Sequence, residues 1–134
     1  MSENHAVPSD DAPHLLVVDD DTRIRNLLKQ FLTEHGFRVT VAGTADEARR
    51  KLAGLDFDLI IMDVMMPRMD GWTLASKVKA ESRLKNVPLI FLTGRDSPKD
   101  VVQGINAGAR HYLTKPFKIQ TLLEKVGKAI GEKK

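Results

Sequence analysis

Leu15-Leu16-Val17-Val18-Asp19-Asp20-Asp21 is an apolar run that ends abruptly in three carboxylates. A nearly continuous apolar stretch of this length, here 14–19, reads as a strand buried on both faces. The same device returns three times: Leu59-Ile60-Ile61-Met62 ends in Asp63, Leu89-Ile90-Phe91-Leu92 in Thr93, and Tyr112-Leu113-Thr114 in Lys115. Between these runs the period changes from strand to helix. Ile24, Leu27, Leu28, Phe31 and Leu32 recur at helical spacing, Asp21 or Thr22 is placed to cap the start, and Gly36 follows the end. A short strand over 37–42 leads to a second helix, capped by Thr44, with Glu47 completing a capping box and Gly54 at its end.

The stretch 64–71 holds Pro67 and Gly71 and reads as a loop. A third helix over 72–82 presents Leu74, Ala75 and Val78 on one face, with Trp72 packing at its start. Pro88 opens a strand over 87–92, a tolerated position for proline. Ser97-Pro98 opens a fourth helix carrying Val101, Val102 and Ile105, which stops near Gly108. A strand over 110–113 and a helix over 117–130, with Leu122, Leu123, Val126 and Ile130 inward, complete the alternation. The result is a (βα)5 chain of the α/β class, doubly wound, with a five-stranded parallel sheet and helices on both faces. Right-handed crossovers leave few strand orders open. Residues 1–13 are polar and read as a flexible leader, 14–131 as the folded domain and 132–134 as a frayed end.

The 134 residues suit one domain, with 42% hydrophobic and 29% charged residues and a net charge of +3. There is no cysteine, so neither disulfides nor thiolate metal ligands are available. His5, His14, His35 and His111 show no ligand spacing, which argues against zinc. No apolar stretch reaches the roughly 20 residues of a membrane span, and no signal peptide opens the chain, so a cytoplasmic location is expected. Lys125, Lys128, Lys133 and Lys134 read as a solvated helix face rather than a nucleic-acid patch, since no aromatic residues interleave. Met62, Met65, Met66 and Met69 resemble a soft-metal box, but alternating burial explains them more simply.

Ligands of open parallel sheets bind outside the carboxyl ends of the strands. Here those ends offer carboxylates, a hydroxyl and an ammonium, which suits a divalent cation and a phosphoryl group. Asp19-Asp20 alone would be an ordinary helix start. With Asp63 on another strand, the acids repel one another unless a cation lies among them.

Val17-Val18-Asp19-Asp20, Asp63 with Val64-Met65-Met66-Pro67-Arg68-Met69-Asp70-Gly71, Leu92-Thr93, Gly108-Ala109 and Tyr112-Leu113-Thr114-Lys115-Pro116-Phe117 together resemble the receiver domain of bacterial two-component response regulators. The resemblance covers Leu15 to about Ile130. It implies a flavodoxin-like sheet of order 2-1-3-4-5 and a phosphoacceptor switch that is not an enzyme toward other substrates. Asp63 would be the phosphoacceptor, charged by a sensor histidine kinase or phosphotransfer protein. Asp19, Asp20, Asp63 and the backbone carbonyl of Met65 would hold Mg2+. Lys115 would pair with the phosphoryl group, and Thr93 and Tyr112 would turn toward it as switch residues. The Lys115-Pro116 bond would be cis, which only an X-Pro bond makes cheap. Phosphorylation would alter a face built from the fourth helix, fifth strand and fifth helix, acting on an output partner, a separate effector domain or a homodimer. Nucleic acid and membrane are not expected partners.

Two other classes compete. A Mg2+-dependent phosphohydrolase of haloacid-dehalogenase type would use Asp19 and Asp21 as its Asp-x-Asp, but Arg23 stands where threonine or valine is needed. An FMN carrier would need a Ser/Thr/Gly-rich first loop where the acids stand. At the pocket rim, Met65 occupies a position where some receivers carry asparagine, and Arg95, two past Thr93, a position where some carry an acid. A thioether cannot orient an attacking water as an amide can. Met65→Asn is therefore expected to shorten the half-life of the phosphorylated chain, and a half-life no shorter than wild type contradicts this reading.

Overall fold

The computed structural model describes residues 9–63, 65–66, 69–93 and 111–133, with backbone alone for 65–66, 69–73, 75–76, 93 and 132–133. Strand β1 (His14–Val18) is buried from Leu15 onward, and strand β3 (Leu59–Asp63) is buried throughout. Two such strands side by side leave no face for water, so helices must cover both sides. β1 pairs in parallel with β2 (Arg38–Ala42) on one edge and with β3 on the other. β4 (Leu89–Thr93) lies beyond β3, and β5 (His111–Thr114) beyond β4, again in parallel. The order is thus the 2-1-3-4-5 expected.

Period-two alternation divides the core. Leu16, Val18, Ile60, Met62, Leu89 and Phe91 face helices α2 (Ala45–Gly54) and α3 (Gly71–Ala80), meeting Ala48, Leu52, Leu74 and Val78. Leu15, Val17, Leu59, Ile61, Ile90 and Leu92 face α1 (Thr22–Glu34) and the last helix (Ile119–Lys133), meeting Leu28, Leu32, Leu122 and Val126. Each such side chain contributes roughly 1.5–3 kcal/mol of burial. A slip of one residue in any strand would swap its two faces, so the core fixes register.

Local chemistry sets the helix ends. Asp21 caps α1, accepting from the backbone N–H groups of Arg23 and Ile24. Gly36 takes a φ of 92°, a left-handed value that favours glycine, just past the end of α1. Thr44 Oγ1 accepts from Glu47 N at 3.1 Å, as a capping box requires. Glu47 Oε1 reaches back one residue further than expected, to Gly43 N at 2.8 Å.

Two details differ from the sequence reading. Leu27 is 48% exposed, because neighbours on a helix point about 100° apart and Leu28 takes the inward position. The stretch after β3 holds a two-residue antiparallel ladder, Met65–Met66 with Met69–Asp70, where a plain loop was expected. The expected fourth helix, together with Arg95 and Arg110, lies outside the described residues.

His14 fastens the other end of the sheet, away from the strand-end acids. Its Nδ1–H donates to the Asp56 carbonyl at 3.1 Å, and its Nε2 accepts from the Thr40 hydroxyl at 2.7 Å. The ring lies 4.5 Å from that of Phe57. Burial, and next the Arg38 charge, push the imidazole below its usual 6.5, against the pull of the Asp56 carbonyl and Asp58. The folded state therefore holds neutral His14 where the unfolded chain takes up a proton. That contribution to stability is present above pH 6.5 and is lost as pH falls below it. The urea midpoint is expected to drop between pH 7.5 and 5.5 by more in wild type than in His14→Gln, and an equal drop in both contradicts this.

Candidate functional site

Strand register assembles the site. Val18 stands opposite Met62, so the chain reaches Asp19 beside Asp63. Asp63 stands opposite Leu92, and Thr93 opposite Thr114, so Lys115 follows just beyond the end of β5. Asp19 is fully buried, Asp63 is 4% exposed and Asp20 is open to solvent. One oxygen from each of these three acids lies within 4.8 Å of the other two. Lys115 Nζ donates to Asp19 Oδ2 at 2.9 Å and to Asp63 Oδ2 at 3.0 Å. Asp19 Oδ1 accepts the Asp21 N–H at 2.9 Å.

The electrostatics oppose one another. Burial raises the Asp19 carboxyl above its usual range, and the Asp63 charge adds to this, while the Asp21 N–H and Lys115 act the other way. Burial also works against the Lys115 ammonium, but its bonds to Asp19 and Asp63 outweigh this and hold it above its usual range. Three carboxylates against one ammonium leave uncompensated negative charge. The donors are all hard oxygens, and the exposed Asp20 leaves a side on which waters can complete an octahedron. The residues present therefore fit a small hard dication such as Mg2+.

The structure brings Asp19, Asp20, Asp63 and Lys115 together. Met65 lies two residues past Asp63 in the short ladder, opposite Asp70. Thr93 ends β4, with only its backbone described. Tyr112 is half-buried against the core cluster on the α2 and α3 side. The Lys115-Pro116 peptide is cis. His14 and His35 hold backbone carbonyls at some remove, and no histidine joins the acidic cluster among the described residues.

One contact at the site had no mark in the sequence. Arg25, six residues past Asp19, donates from Nη1 to the Asp19 carbonyl at 2.8 Å. Its neighbour across the turn is Gly43, which helical or strand periodicity gave no reason to single out.

The family described as response regulator receiver domain matches residues 15–127. The chain belongs to that family. Protein PetR of Rhodobacter capsulatus is 46% identical over 114 residues, covering 85% of this chain and 47% of PetR. A CheY-like receiver domain protein from Methanospirillum hungatei superposes with a TM-score of 0.86 at 34% identity, covering 92% of this chain and 97% of that one. The response regulator TrrA of Thermotoga maritima, solved in complex with Mg2+ and BeF, superposes at 0.78 with 32% identity, covering 87% of this chain and 98% of TrrA. The chain spans about half the length of the curated relatives it matches.

The receiver is thus the phosphoacceptor switch module of a two-component system, and the comparisons give the phosphohydrolase alternative no support. The structure adds a reason. Asp21, the second acid of the Asp-x-Asp, is engaged with two backbone N–H groups as the cap of α1. No helix among the described residues is long and apolar enough to cross a membrane.

Proposed function

We propose that this receiver is phosphorylated on Asp63. The observation that supports this above others is the placement of Asp63: a nearly buried carboxylate at a strand end, 3.0 Å from a lysine and grouped with two further acids. A carboxylate attacks a phosphoryl group poorly unless the negative charges are offset. The Lys115 ammonium offsets part of that charge from one side. Asp19, Asp20, Asp63 and the backbone carbonyl of Met65 are the residues that would hold Mg2+, which supplies charge neutralisation on the phosphoryl oxygens when bound. TrrA, with its Mg2+ and BeF, is the relative that supports this assignment.

The transfer balances simply. An Asp63 oxygen forms a bond to phosphorus as the phosphorus–nitrogen bond of a phosphohistidine breaks. The departing imidazole keeps the electron pair and takes up a proton. The donor is a sensor histidine kinase or phosphotransfer protein in the cytoplasm. Thr93 and Tyr112, on the paired strands β4 and β5, are the residues we assign to the switch. They would bias the face of β5 and the last helix between two arrangements. That face would then act on an output domain, a separate partner or a second copy of the chain, with no direct nucleic-acid contact and no turnover of an outside substrate.

Intact mass after incubation with Mg2+ and a small phosphodonor tests the assignment. A gain of one phosphoryl group that is absent in Asp63→Asn is expected. Equal labelling of Asp63→Asn, or no labelling of wild type, overturns it.

A further inference from the structure

The Asp19-Asp20 turn is held at more points than a helix start needs. The Asp19 N–H donates to the Ala42 carbonyl at 3.1 Å. The Asp19 carbonyl accepts from Arg25 Nη1 at 2.8 Å, and Arg25 Nη2 also donates to Thr22 Oγ1 at 3.2 Å. That carbonyl belongs to the peptide unit shared with Asp20. Its orientation sets the direction in which the two adjacent carboxylates leave the backbone. Arg25 is half-buried, and both of these bonds go to neutral oxygens rather than to the acids nearby.

Gly43 makes this placement possible. A Cβ at position 43 would lie 2.6 Å from Arg25 Nη1 and 3.0 Å from its Cζ. Gly43 has no positive φ, unlike Gly36, so the backbone itself accepts other residues there. What position 43 excludes is a side chain, because the guanidinium occupies that space.

We infer that Arg25, seated over Gly43, is a positioning residue for the metal-binding acids: it fixes the Asp19-Asp20 peptide so that both carboxylates meet Asp63 within reach of one cation. The inference rests on the reading of Asp19, Asp20 and Asp63 as a Mg2+ site. It has a sign that simple electrostatics does not share. Removing a cation from the neighbourhood of an acidic site should by charge alone leave binding of a dication unchanged or tighter. Removing a positioning residue should weaken it.

The test is calorimetric titration with Mg2+ alone, on wild type, Arg25→Met, Gly43→Ala and the double variant, each checked for native circular dichroism. Gly43→Ala keeps every charge and displaces only the flexible end of Arg25. Both single variants are expected to bind Mg2+ about tenfold more weakly, the scale of one lost charge-assisted hydrogen bond. The double variant should bind no more weakly than Arg25→Met, because the methionine leaves nothing for the new Cβ to displace. Without metal, the Asp21 amide, which donates to Asp19 Oδ1, should exchange with solvent about tenfold faster in both single variants, while the amides of β3 keep their protection. Unchanged or tighter binding in either single variant, or additive losses in the double, overturns the inference. A wild-type chain that takes up no Mg2+ overturns the metal reading alone, and the exchange of the Asp21 amide then decides the role of Arg25.

Discussion

One ammonium joins groups that would otherwise repel. Asp19 and Asp63 offer oxygens no more than 4.8 Å apart in a region nearly closed to water. At that separation two carboxylates repel by about 3.5 kcal/mol at an effective dielectric of 20. This is a large share of the 5–15 kcal/mol that holds an ordinary domain folded. Lys115 comes from the end of β5 and touches acids at the ends of β1 and β3, passing across β4. It therefore compensates charge and ties the two halves of the sheet together at the end where the chemistry lies.

The arrangement depends on register, and register depends on the core. Two apolar clusters interleave along every strand, so a shift of one residue in β1 would bury the wrong face and move Asp19 away from Asp63. The packing that stabilises the fold is thus the packing that places the site. Phosphoryl chemistry needs groups fixed in advance rather than recruited. A carboxylate at the end of a strand buried on both faces has little room to move.

Much of this was legible in the chain because the signals are local. The apolar runs, the helical spacing of Ile24 to Leu32 and of Leu122 to Ile130, Thr44 with Glu47 and the glycine at 36 each announce one element within a few residues. Asp19, Asp20, Asp63 and Lys115 were legible because each follows a run whose length and composition mark a strand end. Other features were not local. Whether Leu27 or Leu28 faces the sheet depends on how α1 is rotated about its axis, and two adjacent leucines leave that open. The ladder after β3 needs two pairs of residues to meet across a turn. The seat of Arg25 over Gly43 joins positions on different elements that no periodicity connects. Such contacts exist only once the sheet has formed.

The ion pair between Lys115 and Asp63 holds this end of the sheet together, and a double-mutant cycle measures it. Unfolding free energies of wild type, Lys115→Met, Asp63→Asn and the double variant, taken in metal-free buffer, isolate the interaction between the two side chains. A favourable coupling of about 1.5–3 kcal/mol is predicted, the scale of a largely buried charged hydrogen bond. A coupling near zero would mean that the ammonium does not hold the strand ends together.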